Sequence, residues 1–485
     1  MALIDNTPEL KDLEEKFDFS PTITGDSDLT NLNPDYDNID PHYKELEDCF
    51  NGGGSIENAD DDVYLIKKSN ENSDDYKARK RRSVYYNKCA QVISTFQGHL
   101  WRKAPIREMP ESLEQYIQDV DKQGTTANDF FRNITEMAQV LGLYFVYVDF
   151  PQNLYGGEQP IAIDKQIGLR PKMIPVDPRN ILDWSYDETG FKYIVIAEET
   201  MIIDYPFLQK ETETHYRLIY PNIQFIYRRD IDGKPVLLEE RENTLGIIPL
   251  VPFYGKKISK MCGQSVLHDI CGLNLELYNK HTQRDMAEFW SAFPIPFFKM
   301  FDITTFKDMG PQNGLFSMDP DADVKLIEFS GNSIKALKEA EEDILREIFD
   351  LSLKQIRANS AQKQTVESKR LDRLDALSDL QNRALQFQEA ERTCWEYFGM
   401  WLDIEDDIEI IYNIDYNISQ METDLIDRIL TLKDKKIISK KTVRQLLESG
   451  EILPDDFDSE EEDKNIEKET PETNNFNPQG NEEGV

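Results

Sequence analysis

The chain has 485 residues, 39% of them hydrophobic, with 21 Tyr and 25 Phe; that is too long for one small core and too apolar for a wholly disordered chain. Its net charge of −37 argues against a protein that grips nucleic acid tightly, which needs Lys/Arg clusters to displace counterions. The imbalance sits at the ends: residues 1–76 carry 21 acidic against 5 basic side chains, and residues 454–485 carry 12 against 2.

In chain order, residues 1–78 read as an acidic, mostly disordered arm with one short helix near Pro41–Phe50. The dense basic run KARKRR (Lys77–Arg82) closes it, either as a solvated helix start or as a local contact with DNA or an acidic neighbour. RRSVYYNKCAQVISTFQGHLWRK then predicts one helix that stops before Ala104-Pro105. A second helix is expected over Ser112–Val120 with Ser112 as N-cap, and a third over Ala127–Leu141 with Gly142 as C-cap. LYFVYVDF (Leu143–Phe150) is an aromatic, β-branched strand signal.

From about Pro160 to Pro252, short alternating runs such as LRPKMIPV, KYIVIAEE, HYRLIY, NIQFIYRRD and PVLLEERE predict an antiparallel sheet in an α+β unit. The best turn signal is the hairpin across Ile231-Asp232-Gly233-Lys234.

Three long helical patterns follow. The first places Val266, Ile270, Leu273 and Leu277 on one face and ends at FPIPFFKMF (Phe293–Phe301), where Pro294 and Pro296 lack the backbone donors a helix needs. The second, SIKALKEAEEDILREIFDLSLKQI, aligns Leu337, Ile344, Ile348 and Leu351; the third, from about Gln364 to Leu402, is highly charged with a narrow apolar seam. DDIEIIYN (Asp406–Asn413) predicts a strand, Thr423–Ile452 two short helices, and residues 454–485 an acidic disordered tail.

A search for chemistry is mostly negative. The chain has no GxxxxGK[ST] phosphate loop, no GxGxxG after a strand, no HExxH and no GxSxG. His268 and His281 share a helix but stand too far apart to serve one metal, and acidic pairs such as Glu341/Glu342 and Asp406/Asp407 are expected by chance among 92 acidic residues. The aromatic residues Tyr278, Phe289, Trp290, Trp395, Tyr397, Phe398 and Trp401 suit packing between helices or subunits better than base stacking. Five dispersed cysteines without a CxxC pair imply a reduced setting. Neither a signal peptide nor an 18-residue apolar run is expected. Catalytic residues, metal ligands and cofactors are not expected; an acidic-cluster, metal-dependent nuclease and another virion structural or scaffold protein are the alternative readings.

Five strings, taken in order, resemble one branch of the portal proteins of tailed bacteriophages: YYNKCAQVISTFQGHLWRKAP (Tyr85–Pro105), DVDKQGTTANDF (Asp119–Phe130), GLYFVYVDFP (Gly142–Pro151), GIIPLVPFYG (Gly246–Gly255) and SVLHDICGLNLELYN (Ser265–Asn279). DILREIFDLSLKQ followed by the QTVESKR helix is similar to the portal stem-to-tunnel passage, although Ser265-Val266 stands where relatives often have a proline.

The resemblance implies a portal-like α+β fold. It would have a wing over residues 79–258, stem helices over 259–292 and 331–358, and a β clip over 293–330. A tunnel loop and long wing helix would span 359–405, and a strand plus helical crown 406–453. It further implies a ring, usually dodecameric, at one capsid vertex, assembled in the host cytoplasm, through which double-stranded DNA is packaged and ejected. The expected partners are further copies of the chain, the terminase large subunit, head–tail adaptors, and major capsid and scaffolding proteins, with no membrane. Glu341, Asp343, Glu347, Lys354, Arg357, Gln362, Lys363, Gln364 and Lys369 would line the channel. Phe293, Pro294, Pro296, Phe297, Phe298 and Phe301 would form the clip on which the motor docks.

Overall fold

The computed structural model describes residues 28–36, 40–151, 169–188, 190–203, 206, 210–292, 295–299, 321, 323–327, 331–352, 366–404, 406–414, 423–435, 437–449 and 462. The chain divides into two compact units, Met1–Ile414 and Asp415–Val485.

The first unit is α+β, as expected. From Asp40 the acidic N-terminal segment is folded, which corrects its assignment to an arm. Helices α1 (Asp40–Asn51) and α2 (Gly54–Glu57) bury Tyr43, Leu46, Cys49 and Ile56. Most of its acidic residues stay at least partly exposed while a minority of apolar side chains turns inward, so average composition concealed the pattern.

Helix α3 (Ser73–Arg82) carries the basic run, which is not a free patch. Arg79 is buried, with its guanidinium 2.7 Å from Glu71 Oε2 and 2.8 Å from the Ile66 carbonyl. Lys80 donates to the Ala59 carbonyl and Asp61, and Arg82 stands 4.4 Å from the Phe289 ring centre.

The single helix expected from Arg81 onward is broken. After α3 the chain is extended over Ser83–Asn87, and α4 (Lys88–Leu100) starts at Asn87, whose Oδ1 accepts from Ala90 N at 2.8 Å. The helix expected over Ser112–Val120 shrinks to α5 (Glu111–Glu114), with Pro110 rather than Ser112 at the N-cap. The reason is a loop that satisfies its own backbone: Val120 N bonds Thr125 O at 3.0 Å and Ala127 N bonds Ile117 O at 2.7 Å. Helix α6 (Ala127–Leu141) matches its expected bounds, with Thr126 accepting from Asp129 N and Gly142 closing it at φ 89°.

The three-stranded antiparallel sheet has β2 (Leu143–Asp149) between β3 (Lys172–Val176) and β9 (Leu250–Tyr254). A five-stranded antiparallel meander follows chain order: β4 (Ile181–Tyr186), β5 (Phe191–Ile203), β6 (Glu211–Ile219), β7 (Ile223–Arg229) and β8 (Pro235–Glu242). The β7–β8 turn lies where the sequence placed it, with Gly233 at φ 82° and Asp230 N bonded to Lys234 O. Alternate residues of β2, Leu143, Phe145 and Tyr147, enter one core with Ile181, Trp184, Ile194, Ile196 and Ile219 of the meander. Helix α6 covers β2 and β9 from another side, with Phe131 6.0 Å from Phe253.

Among the described residues, three small ribbons complete the unit. β1 (Ile106–Glu108) pairs with β14 (Glu409–Ile411), β10 (Lys257–Ser259) with β11 (Cys262–Gly263), and β12 (Ile295–Lys299) with β13 (Asp323–Ile327). The strand expected near Asp406–Asn413 therefore belongs to the first unit, not with the helices that follow it. The long helices are α7 (His268–Ala292), α8 (Gly331–Leu351) and α9 (Val366–Met400).

The second unit contains the two short helices expected there, α10 (Thr423–Asp434) and α11 (Lys440–Ser449), with Ile429 and Val443 buried.

Candidate functional site

The long-helix region forms a hairpin: α7, the β12–β13 ribbon and α8. The ribbon is antiparallel with Ile295 opposite Ile327 and Lys299 opposite Asp323. Helices α7 and α8 pack along each other.

Burial on α7 follows a helical stripe through Ile270, Cys271, Asn274, Leu277, Tyr278, His281 and Thr282. Sequence reasoning found Ile270 and Leu277 but missed the polar members of the stripe. Asn274 is fully buried because it replaces missing backbone partners in the extended link before α4: its Oδ1 accepts from Lys88 N at 2.7 Å, and its Nδ2 donates to Tyr86 O at 3.1 Å. One turn further on, Asn279 does the same for Ile66 N and Tyr64 O. The N-terminal half of α7 is thus stitched to the folded acidic segment.

On α8 the buried stripe is Glu341, Ile344 and Ile348, whereas Leu351 is 51% exposed. Glu341 was expected among the channel-facing carboxylates. It is instead 6% exposed and receives a hydrogen bond from Arg284 of α7 at 2.6 Å. This is a correction with a simple cause: position 341 lies in register with Ile344 and Ile348, on the face that α7 covers. Asp343 and Glu347 lie on the other face and are exposed; Asp343 pairs with Arg346 at 3.0 Å.

Lys354, Arg357, Gln362, Lys363 and Gln364 lie outside the described residues, as do Phe293, Pro294 and Phe301. Lys369 falls within α9. Pro296, Phe297 and Phe298 fall in β12, opposite Leu326, Lys325 and Val324. A proline is tolerated there because a two-stranded ribbon leaves one edge of each strand unpaired.

The hairpin stands on a junction of three glycines. Gly142, Gly255 and Gly263 approach so closely that a Cβ on Gly263 would lie 1.9 Å from Gly142 O, and one on Gly142 would lie 2.5 Å from Ser265 N. Gly255 N bonds Gly142 O at 2.8 Å. Ser265, buried beside them, donates from Oγ to Val140 O and accepts from Leu267 N, while Val266 N bonds Gln139 O. These bonds delay the regular start of α7 from the expected Ser265 to His268 and fix its direction against the C-terminus of α6.

Helix α9 returns to the same base. Leu380, Ala384, Phe387, Cys394, Trp395 and Phe398 form its buried seam. Phe387 stacks on Phe253 at 6.3 Å, and Arg383 donates to Gly255 O at 2.8 Å. Trp401 donates to Val148 O at 3.1 Å and stacks on Phe150. The aromatic residues Tyr278, Trp395, Phe398 and Trp401 thus serve packing within the chain. Among the described residues, no helix is long and apolar enough to cross a membrane.

Comparison with known proteins adds the following. A family described as a domain of unknown function (DUF4055) matches residues 266–402, the hairpin and α9. No curated protein matches the chain. Among solved structures, a chain from "Neck of native GTA particle computed with C12 symmetry" aligns over 74% of this chain and 89% of that one, at 9% identity and a TM-score of 0.38. A score at that level carries no argument about function.

Proposed function

We propose that the chain is the subunit of a portal-type ring at one vertex of a tailed-phage capsid, through which double-stranded DNA enters and leaves. The observation that carries the reading is the hairpin: two long antiparallel helices capped by a strand pair and anchored at their base to an α+β body. In the ring, α7 and α8 are the stem, the β12–β13 ribbon is the clip where the packaging motor and then the adaptors dock, and the α+β body is the wing.

Three of the five strings that resemble portal sequences meet at the glycine junction: one starts at Gly142, one ends at Gly255, and one starts at Ser265, two residues after Gly263. The resemblance therefore covers residues that meet in space. A head-to-tail cyclic assembly would also cover apolar side chains left open on α8, Leu345 and Leu351. Asp343 and Glu347 on the exposed face suit a wall past which DNA slides, since like charge disfavours tight binding.

The deciding experiment is negative-stain electron microscopy of the purified chain, with mass photometry on the same sample. Rings with a central hole and a mass near twelve copies are expected. A monomer or small compact oligomer that is unchanged across salt and concentration overturns the reading.

A further inference from the structure

Three of the five cysteines, dispersed along the sequence at positions 49, 89 and 271, meet in the structure. Each comes from a different helix, α1, α4 and α7, and all three are buried. Cys49 Sγ and Cys271 Sγ lie 2.7 Å apart. Cys89 joins them from α4, and the buried Tyr85 hydroxyl lies 3.9 Å from its sulfur and donates to the Cys49 carbonyl. Hydrogen bonds from Cys271 and then Cys49 favour the ionised form of Cys89 and draw its thiol below the ordinary range.

The spacing does not suit a metal. Two sulfurs bound to one zinc at about 2.3 Å each in tetrahedral geometry stand well over 3 Å apart. Nor is the pair spaced as two thiols at rest. It lies nearer to bonding distance than other side chains packed in the core, where van der Waals contact sets the separation.

We propose that Cys49 and Cys271 form a reversible disulfide that staples α1 to the base of α7, with Cys89 as the exchanging thiol. The oxidant is a small disulfide. The Cys89 thiolate attacks one of its sulfurs, forming a mixed disulfide and releasing one small thiol. Cys49 or Cys271 then attacks the Cys89 sulfur and releases the second small thiol. Exchange with the remaining cysteine moves the bond to Cys49–Cys271 and restores Cys89 as a thiol. Overall, two protein S–H bonds and the oxidant's S–S bond are exchanged for one protein S–S bond and two small thiols, which carry away both protons. Because the sulfurs are buried, the reaction runs through local opening of α1. The inference rests on side-chain placement within one chain and does not depend on ring assembly.

The test uses the full chain, incubated with oxidised glutathione or with dithiothreitol, then denatured, alkylated and digested without reduction. In the oxidised sample, peptides containing Cys49 and Cys271 are expected to be joined, with Cys89, Cys262 and Cys394 alkylated. The thermal midpoint is expected to rise, and dithiothreitol to reverse both changes. Cys89→Ser is expected to slow formation of the same link, and Cys271→Ala to abolish it along with the thermal shift. Alkylation of all five cysteines after oxidation, or links confined to Cys262, Cys394 or separate chains, overturns the proposal. The wild-type peptide map decides the matter even if a variant fails to fold.

Discussion

Arg284 of α7 holds the carboxylate of Glu341 on α8 at 2.6 Å, in a contact that removes most of Glu341 from solvent. His281 lies beside the pair: its Nδ1 is 2.9 Å from Arg284 Nη2 and its Nε2 is 3.4 Å from Asp285. A guanidinium only donates, so His281 Nδ1 is the acceptor and its ring proton sits on Nε2, facing Asp285. The contact ties the two helices of the hairpin near mid-length and fixes which face of α8 turns outward.

Replacing Arg284 by alanine leaves Glu341 as a buried carboxylate without its cation. Losing one partner of a buried pair costs about 3 kcal/mol. The expected result is faster hydrogen exchange across α8 by the corresponding factor, with the sheets unaffected. Unchanged protection in α8 would show that the pair contributes nothing there.

How much of this was legible in the sequence depends on the kind of interaction. Helix α6, strand β2 and the β7–β8 turn were readable because local signals sufficed: Gly142 at the helix end, a run of aromatic and β-branched residues on the strand, Asp-Gly in the turn. Glu341 was misplaced because a charged side chain at a stripe position looks solvent-facing until its partner is known, and Arg284 is 57 residues away. Asn274 was missed for the same reason, since its partners are backbone groups of Tyr86 and Lys88. Gly142 carried a signal, as the residue that closes α6, but only its meeting with Gly255 and Gly263 in space shows why a side chain is excluded.

Gly142→Ala tests that junction. The left-handed backbone costs an alanine about 1–2 kcal/mol, and its Cβ would also lie 2.5 Å from Ser265 N and 2.7 Å from Gly263 O. A large fall in thermal midpoint or loss of soluble protein is expected. Gly98→Ala is the contrast, in the last turn of α4 with open space around it. It is expected to stabilise by about 0.5–1 kcal/mol, as a helical alanine does.

Glu391 anchors the β1–β14 ribbon to α9. Its Oε1 accepts from Arg107 at 2.6 Å and from Trp395 at 3.3 Å, and its Oε2 accepts from the Tyr412 hydroxyl at 2.6 Å. Burial, reinforced by the Glu391 charge, pushes the Tyr412 hydroxyl well above its ordinary pKa, so it stays a donor at any working pH. Glu391→Ala strands the Arg107 charge and is expected to cost about 3–5 kcal/mol. Tyr412→Phe removes one bond to a charged group, about 1.5–3 kcal/mol. Equal losses in denaturant titrations of the two variants would contradict this ordering.

The exposed carboxylates of α8 test the proposed channel. Asp343→Lys with Glu347→Lys alters side chains that are exposed in the protomer, so little change in stability is expected. If they face DNA in the assembled ring, the added cations contact phosphates, and each contact steepens the dependence of log affinity on log salt by about 0.9. Fluorescence anisotropy with a short duplex, at several salt concentrations, reads this directly. A slope unchanged from wild type would place these residues away from DNA.

The seating of α1 on α7 is expected to weaken in mild acid. His42 Nε2 lies 3.1 Å from His268 Nδ1, and the rings meet edge-on at 5.2 Å. Partial burial, then repulsion from His268, lowers the His42 pKa below its ordinary value, against an opposing pull from Glu45. The docked state therefore binds protons less readily than the open chain. The contribution of His42 is complete above the unperturbed imidazole value of about 6.5 and is lost as pH falls below it. Hydrogen exchange of the α1 amides, corrected for intrinsic rates, is expected to accelerate between neutral pH and mild acid while the sheet amides hold. His42→Gln removes the titrating ring and is expected to flatten that response. A wild-type α1 whose protection is constant across the range would mean that the two imidazoles touch without being coupled to docking.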